Sequence, residues 1–194
     1  MRFYPPDAPV PAELRTAEFL LRMLRATDVE LDYDAVIKSR ELLLVRSGGA
    51  WPKEGFSLAD NLADLQKHEA DYLARTSFTY TVMNPTETRC LGCVYINPLL
   101  PLLQRLQASE TEISQIGDDE AWVTFWVRQS RLADELDKRL FAALRGWFTD
   151  AWAFKRVLFR ANDNEARVMR LYQAAGLQPR YTLQAGARTT YLYE

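Results

Sequence analysis

Residues 120–128, EAWVTFWVR, are apolar on both faces of an extended chain, with Val123, Phe125 and Val127 on one and Trp122 and Trp126 on the other. Side chains alternate along a strand, so this segment needs cover on two sides and reads as a central strand. What flanks it supplies the cover. SFTYTVMNP alternates and is rich in β-formers, NPTET is a turn, and RCLGCVYI is a second strand, so the pair predicts a hairpin. Downstream, Leu136, Leu140, Ala143, Leu144 and Trp147 recur at helical spacing. KRVLFRA is then another strand. NDNEARVMRLYQAAG is another helix, capped at Asp163 or Asn164, with Val168, Leu171, Tyr172 and Ala175 inward and Gly176 at C′. PRYTLQAGARTTYLY predicts two short strands about a Gly186 turn.

Upstream, Leu14–Leu24 holds an apolar stretch that predicts a first strand, and Thr27 and Asp28 are helix caps. One helical stretch follows, with the apolar positions Tyr33, Val36, Ile37 and Leu44 at helical spacing, and then a Gly/Pro loop, RSGGAWPKEG. Ser57 and Asp60 form a capping box that opens a second helix. Leu58, Leu62, Leu65, Tyr72 and Leu73 line its inner face, which leaves His68 as a solvated residue. The connection from Asn97 to Asp119 is expected to be irregular, with a short helix near Leu99–Ala108. The predicted order is β-α-α-β-β-β-α-β-α-β-β. This is the α/β class: a mixed, mainly antiparallel sheet with helices on both faces. Four prolines in residues 1–12 predict an extended N-terminal arm ahead of a single domain over 13–194.

The chain of 194 residues carries 26 acidic and 24 basic side chains, which gives no bulk basic surface for nucleic acid. One histidine and two cysteines leave little for a metal centre or a disulfide scaffold, so no metal is expected. The most apolar run, VYINPLLPLL, is broken by Pro98 and Pro101, so no membrane span is expected and the default location is cytoplasmic. Cys90 and Cys93 fall in a predicted strand, where residues three apart face opposite ways, so they read as ordinary buried cysteines.

From Phe125 to Leu177 the order of elements, and RLYQAAGL above all, resembles the GCN5-related N-acetyltransferase family. The stretch from Trp51 through GFSLADNLADLQKHEADYLA to FTYTVMNP is similar to the branch that acetylates ribosomal-protein amino termini and small amines. The resemblance implies acetyl-CoA as co-substrate and a small-molecule or peptide amine as acceptor, attacking directly in a ternary complex. The pyrophosphate would rest on loop and helix N–H groups, and the pantetheine arm would pair with a splayed strand. Residue by residue, it places Val127 at the end of that strand and Leu132, Ala133, Asp134, Glu135 and Leu136 in the pyrophosphate loop. Tyr172 matches the family tyrosine, which would protonate the leaving thiolate; on the apolar face of its helix it reads equally as a plain core tyrosine. Asn164 is the nearest match to the pattern's asparagine, one residue further from Tyr172 than the pattern has it. Apart from the resemblance, Glu120 at the start of the central strand reads as a solvated strand-end glutamate or, as the candidate general base, acts directly or through water.

The loop departs from the pattern. Ala133, Glu135 and Asp137 stand where glycines are expected, with Asp134 between, and no glycine occurs from Ala121 to Arg145. A like-charge contact at about 4 Å costs roughly 1 kcal/mol in water and roughly 4 at intermediate dielectric. Arg128 and Arg131 would offset this if they turn toward the phosphates. Alternatively, the carboxylates serve the helix itself, through its dipole and the i,i+4 pairs Asp134–Lys138 and Glu135–Arg139. The second reading is then a non-catalytic protein of the same fold, an interaction or small-ligand-binding module. Arg156, Arg160, Arg167 and Arg170 are candidates for the CoA adenosine phosphate, and Trp122, Trp126, Trp147 and Trp152 for a substrate cleft or core. C-terminal edge strands offer a homodimer contact.

Overall fold

A computed structural model describes residues 3–194. Its strands form one sheet in the order β1-β2-β3-β4-β5-β6-β8-β7. They are β1 (Glu13–Arg15), β2 (Leu20–Met23), β3 (Phe78–Met83), β4 (Cys90–Pro98), β5 (Glu120–Val127), β6 (Arg156–Asn162), β7 (Pro179–Ala185) and β8 (Arg188–Tyr193). Every neighbouring pair is antiparallel except β5 with β6, which are parallel. The helices are α1 (Val29–Ile37), α2 (Arg40–Ser47), α3 (Leu58–Ala74), α4 (Leu99–Arg105), α5 (Glu110–Ile113), α6 (Leu136–Ala151) and α7 (Ala166–Ala174). The α/β class, the mainly antiparallel sheet and the central place of residues 120–127 are as the patterning predicts. Among the described residues no helix is long and apolar enough to cross a membrane.

Local chemistry explains the elements and the departures. Ser57 Oγ accepts from Asp60 N, and Asp60 Oδ2 accepts from Ser57 N, so the capping box opens α3. Leu58 and Leu73 are nevertheless exposed, because they fall at the first and last turns, beyond the packed stretch. The single predicted strand in 14–24 is two short ones, because Thr16 Oγ1 accepts from Glu18 N and Phe19 N and turns the chain back. The helical stretch after Asp28 breaks at Ser39 into α1 and α2. The 99–119 connection holds α4 and also α5, which opens on a Ser109–Glu112 capping box. The N-cap position of α7 is Glu165, not Asp163 or Asn164.

Residues 3–12 are irregular, but they are no free arm. Phe3 and Tyr4 are buried against Phe78, Trp152 and Phe154, and Tyr4 Oη accepts from Ala153 N at 2.8 Å. Residues 1 and 2 of the predicted arm lie outside the described residues. One face of the sheet sends Phe78, Tyr80, Val94, Val123, Phe125 and Phe159 into the main core under α6. Trp147 and Trp152 belong to that core. The other face sends Met83, Cys93 and Trp126 against α1 and α2.

The cysteines correct a simple alternation argument. Register slips in β4, where Val82 pairs with Gly92 and Met83 with Cys90, so Leu91 is an extra residue. The bulge turns Cys90 and Cys93 onto the same face. Gly92 makes it possible: its φ is +154°, and a Cβ there would lie 2.0 Å from the Trp126 carbonyl oxygen.

Candidate active site

β5 and β6 are paired from Glu120↔Arg156 to Val123↔Phe159 and then part. β5 continues through Val127 paired only with β4, and β6 continues to Asn162 paired only with β8. The outcome is a V-shaped notch whose β5 wall is an open strand edge, a template for an extended ligand.

Two cavities meet there. One, of 260 Å³, lies between the end of β5, Leu132 and Asp137 near the start of α6, and Arg167 and Val168 of α7. It adjoins a groove of 500 Å³ between α6 and α7 that is edged by Lys138, Arg145, Arg167 and Arg170. The other cavity, of 390 Å³, is lined by Asp32, Asn61, Asp64, His68, Cys93 and Tyr95, among others. Arg46 and Trp126 line both cavities.

The segment joining β5 to α6 is a 3₁₀ turn (Gln129–Arg131) followed by residues 132–135. Glu135 is the N-cap, with φ +56° and no side-chain cap bond. It takes the left-handed conformation for which the family pattern uses glycine. Among the described residues, the N–H groups of Ala133, Asp134, Leu136 and Asp137 have no acceptor. Orphan donors at the mouth of a sixteen-residue helix suit an anion. The loop carboxylates do not cover them. Asp134 pairs with Arg131 at 2.9 Å, Glu135 with Lys138 at 2.5 Å, and Asp137 with Arg167 at 2.6 Å. The i,i+4 pairs expected from sequence are therefore replaced. Arg139 instead bonds Glu18 and the Asp134 carbonyl.

A notch between parallel central strands, an open edge beside it and uncapped donors at the following helix are now all in place. The chain has the GCN5-related N-acetyltransferase fold. No protein-family model matches the sequence, and no curated protein matches it. Solved structures do. A RimL ribosomal L7/L12 alpha-N-protein acetyltransferase in complex with coenzyme A aligns with a TM-score of 0.70 at 12% identity, over 92% of this chain and 93% of that one. The microcin C7 self-immunity acetyltransferase MccE, in complex with acetyl-CoA and AMP, aligns at 0.69 and 11% over 94% and 96%. A ribosomal-protein-S5-alanine acetyltransferase from Vibrio fischeri aligns at 0.68 and 11% over 94% and 95%.

The fold brings some of the sequence-predicted residues together. Val127 closes the open edge of β5, and Leu132 and Asp137 border the cavity beside it. Tyr172 is fully buried among Phe125, Phe141, Phe159 and Tyr193. Its hydroxyl donates to the Arg160 carbonyl at 3.5 Å, just past the last β5–β6 pair. Burial pushes the phenol well above its ordinary range, so it stays protonated. Asn164 also borders the cavity, where its Nδ2 donates to the Val45 carbonyl.

Other residues are placed elsewhere. Glu120 sits at the opposite end of β5 from the notch, fully buried, bonded to Arg156 at 3.0 Å and to Gly117 N at 3.4 Å. As a general base it would be seven residues of strand from Val127, about 23 Å. Arg128 turns away from the loop: its Nε donates to the Cys90 carbonyl and its Nη2 to Asp34 at 2.6 Å. Arg156 is held by Glu120 and Glu194, and Arg160 lies over Trp122 and lines the 390 Å³ cavity. Only Arg167 and Arg170 of the four arginines edge the α6–α7 groove. His68 is half-buried, not fully solvated. Its Nδ1 lies 3.1 Å from Thr79 Oγ1, its ring packs on Tyr95, and burial together with Lys67 lowers its pKa.

Sequence reasoning missed two residues in the notch. Arg46, on α2, donates to the Phe125 carbonyl and to Thr124 Oγ1, along the open edge of β5. It also lies 3.5 Å from Glu165, whose other oxygen accepts from Asn162 N at 2.9 Å. Counting seven residues back from Tyr172 along the family pattern reaches Glu165, a signal the sequence carried. Nothing in the sequence marks Arg46.

Among the described residues one group has metal-ligand chemistry. Asp32, Cys90 and Cys93 are buried with their ligand atoms within 4.8 Å of one another. Cys93 donates to Asp32 Oδ1 at 3.4 Å, and the bond with Cys90, with burial, keeps the Cys93 thiol protonated.

Proposed function

We propose that the protein transfers an acetyl group from acetyl-CoA to a primary amine by direct attack in a ternary complex. The observation that carries this reading is the open β5 edge running into a helix N-terminus whose N–H groups are vacant despite three nearby carboxylates. The pyrophosphate is taken by the N–H groups of Ala133, Asp134, Leu136 and Asp137, and the pantetheine arm pairs with Thr124–Val127. Lys138, Arg145 and Arg170, on the rim of the α6–α7 groove, face the adenosine phosphate. The neutral amine attacks the thioester carbon and the C–N bond forms. The C–S bond then breaks, the thiolate takes its proton from Tyr172, and the proton shed by the attacking nitrogen passes through solvent to restore the phenol. Structural neighbours named for acetylating ribosomal proteins, and one that holds acetyl-CoA, support acyl transfer.

One observation favours the second reading, a non-catalytic module. Arg46 and Glu165 occupy the edge that the arm needs. In the enzyme reading Arg46 gives up the Phe125 carbonyl when the arm arrives. Calorimetric titration with acetyl-CoA and CoA, at low and moderate salt, decides between them. Micromolar binding is expected. No binding at millimolar ligand leaves the fold and removes the acetyltransferase reading.

A further inference from the structure

The 390 Å³ cavity across the notch has charge at both ends, and the two ends differ. At the end away from the notch stand Asp32 from α1 and Asn61 and Asp64 from α3. Asn61 is almost wholly buried. Its Nδ2 donates to Asp32 at 3.0 Å, while its Oδ1 has no partner. Asp32 is buried too, and among the described residues it takes hydrogen bonds from Asn61 and the two thiols but pairs with no cation. Asp64 accepts only from Trp51 Nε1, at 3.3 Å, among the described residues. At the notch end stand Arg46 and Arg160. Arg46 is committed to β5 and Glu165, and Arg160 bonds Asn162 and lies 5.4 Å from the Trp122 ring centre.

A ligand that satisfies this arrangement brings several donors and a positive charge to the far end. An ammonium has three donors and one charge, and it answers Asp32, Asp64 and the orphaned Asn61 oxygen together. At the other end two guanidiniums disfavour a second ammonium, so an amine there loses its proton more readily and becomes a nucleophile. We propose that this cavity is the acceptor site for a small diamine or polyamine, its distal ammonium held by Asp32, Asp64 and Asn61 while its reacting amine faces the β5 edge. The inference rests on the acetyl-transfer reading and supplies its acceptor.

His68 gives the site its pH dependence. Its neighbours are Asp64, Lys67 and Asp71 on α3, Thr79 from β3 and Tyr95 from β4. Asp32, Cys93, Arg46 and Arg160 share the cavity with it. Neutral His68 leaves the far end acidic. Protonated His68 adds a cation beside the distal ammonium and expels it.

The test uses acetyl-CoA with three probes of similar length: 1,4-diaminobutane, butylamine and 4-aminobutanoate. The expected order of kcat/KM puts 1,4-diaminobutane about tenfold or more above butylamine, with 4-aminobutanoate lowest. Asp64→Asn is expected to raise KM about tenfold for the diamine and to change KM for butylamine far less. KM for the diamine rises as pH falls through the His68 transition, and His68→Gln flattens that rise. Equal kcat/KM for diamine and butylamine, a preference for 4-aminobutanoate, or equal effects of Asp64→Asn on both amines overturns the proposal. If acetyl-CoA binds and no probe reacts, the acceptor assignment fails and the donor reading stands. If acetyl-CoA does not bind, the donor reading fails. Calorimetry of 1,4-diaminobutane alone still judges the cavity, with Asp64-dependent binding expected and its absence overturning the assignment.

Discussion

Arg46 is where the competition between cofactor and protein is sharpest. Its guanidinium bonds the Phe125 carbonyl and Thr124 Oγ1 and faces Glu165 at 3.5 Å. When a pantetheine arm pairs with β5, its amides regain the backbone bonds, so displacement costs about one charge-assisted hydrogen bond, roughly 1.5–3 kcal/mol. Relieving that cost tightens CoA binding by about 10- to 150-fold. The single variant Arg46→Met is the wrong experiment. It strands Glu165, whose side chain is 7% exposed, and breaking a buried pair from one side costs about 3–5 kcal/mol of stability. Arg46→Met with Glu165→Gln removes both charges and keeps the volume. Calorimetry with CoA then reads the affinity, and thermal unfolding confirms that the double variant is folded. Affinity equal to or weaker than that of the native protein would refute the competition. It would mean instead that Arg46 is part of the cofactor's own binding surface.

Tyr172→Phe should lower kcat about 100-fold with CoA affinity nearly unchanged, since a positioned proton donor contributes that order of rate. Unchanged turnover in steady-state assays removes Tyr172 from the mechanism. Gly92→Ala should destabilise by about 2–4 kcal/mol in denaturant unfolding, because the new Cβ meets the Trp126 carbonyl at 2.0 Å on a backbone that L-residues avoid. A loss under about 0.5 kcal/mol would show that the bulge relaxes freely. Glu120→Gln should leave kcat within about twofold while costing about 1–3 kcal/mol, because Glu120 holds Arg156 far from the notch. Abolished turnover in a folded variant would restore it as a catalytic group.

The parts of the fold that were legible in the sequence are those in which one local period dominates. The doubly apolar β5, the capping box of α3 and the 3.6-residue spacing of α6 each needed only their own residues. What was lost depended on distant partners or on one inserted residue. The Leu91 bulge reverses the parity of Cys90 and Cys93, and no composition rule marks a bulge. His68 has a polar position in the sequence, yet it is half-buried because Thr79 and Tyr95 arrive from the sheet. At the candidate site, the family pattern pointed to Tyr172 and to the loop before α6. Arg46, Asp32 and Asp64 come from helices separated from the notch by much of the chain and were invisible until those helices were docked.

The acidic loop shows how a correct electrostatic premise reached the wrong geometry. Pairing Asp134 with Lys138 and Glu135 with Arg139 assumes that the helix already runs through residue 134. It starts at Leu136, because Glu135 is left-handed and breaks the helical path. Two carboxylates therefore precede the helix, and each finds its cation three residues away, Arg131 before and Lys138 after. Asp137, the one inside the first turn, is neutralised from α7 by Arg167, which also donates to the Leu132 carbonyl. Each of the three negative charges is thus matched by a cation, and none of the three carboxylates takes a loop N–H. The repulsion argued from sequence assumed unpaired carboxylates facing a pyrophosphate. With the pairs formed the backbone donors stay vacant, so in the acetyl-transfer reading the cost of substituting the glycines falls on chain conformation at Glu135 more than on charge.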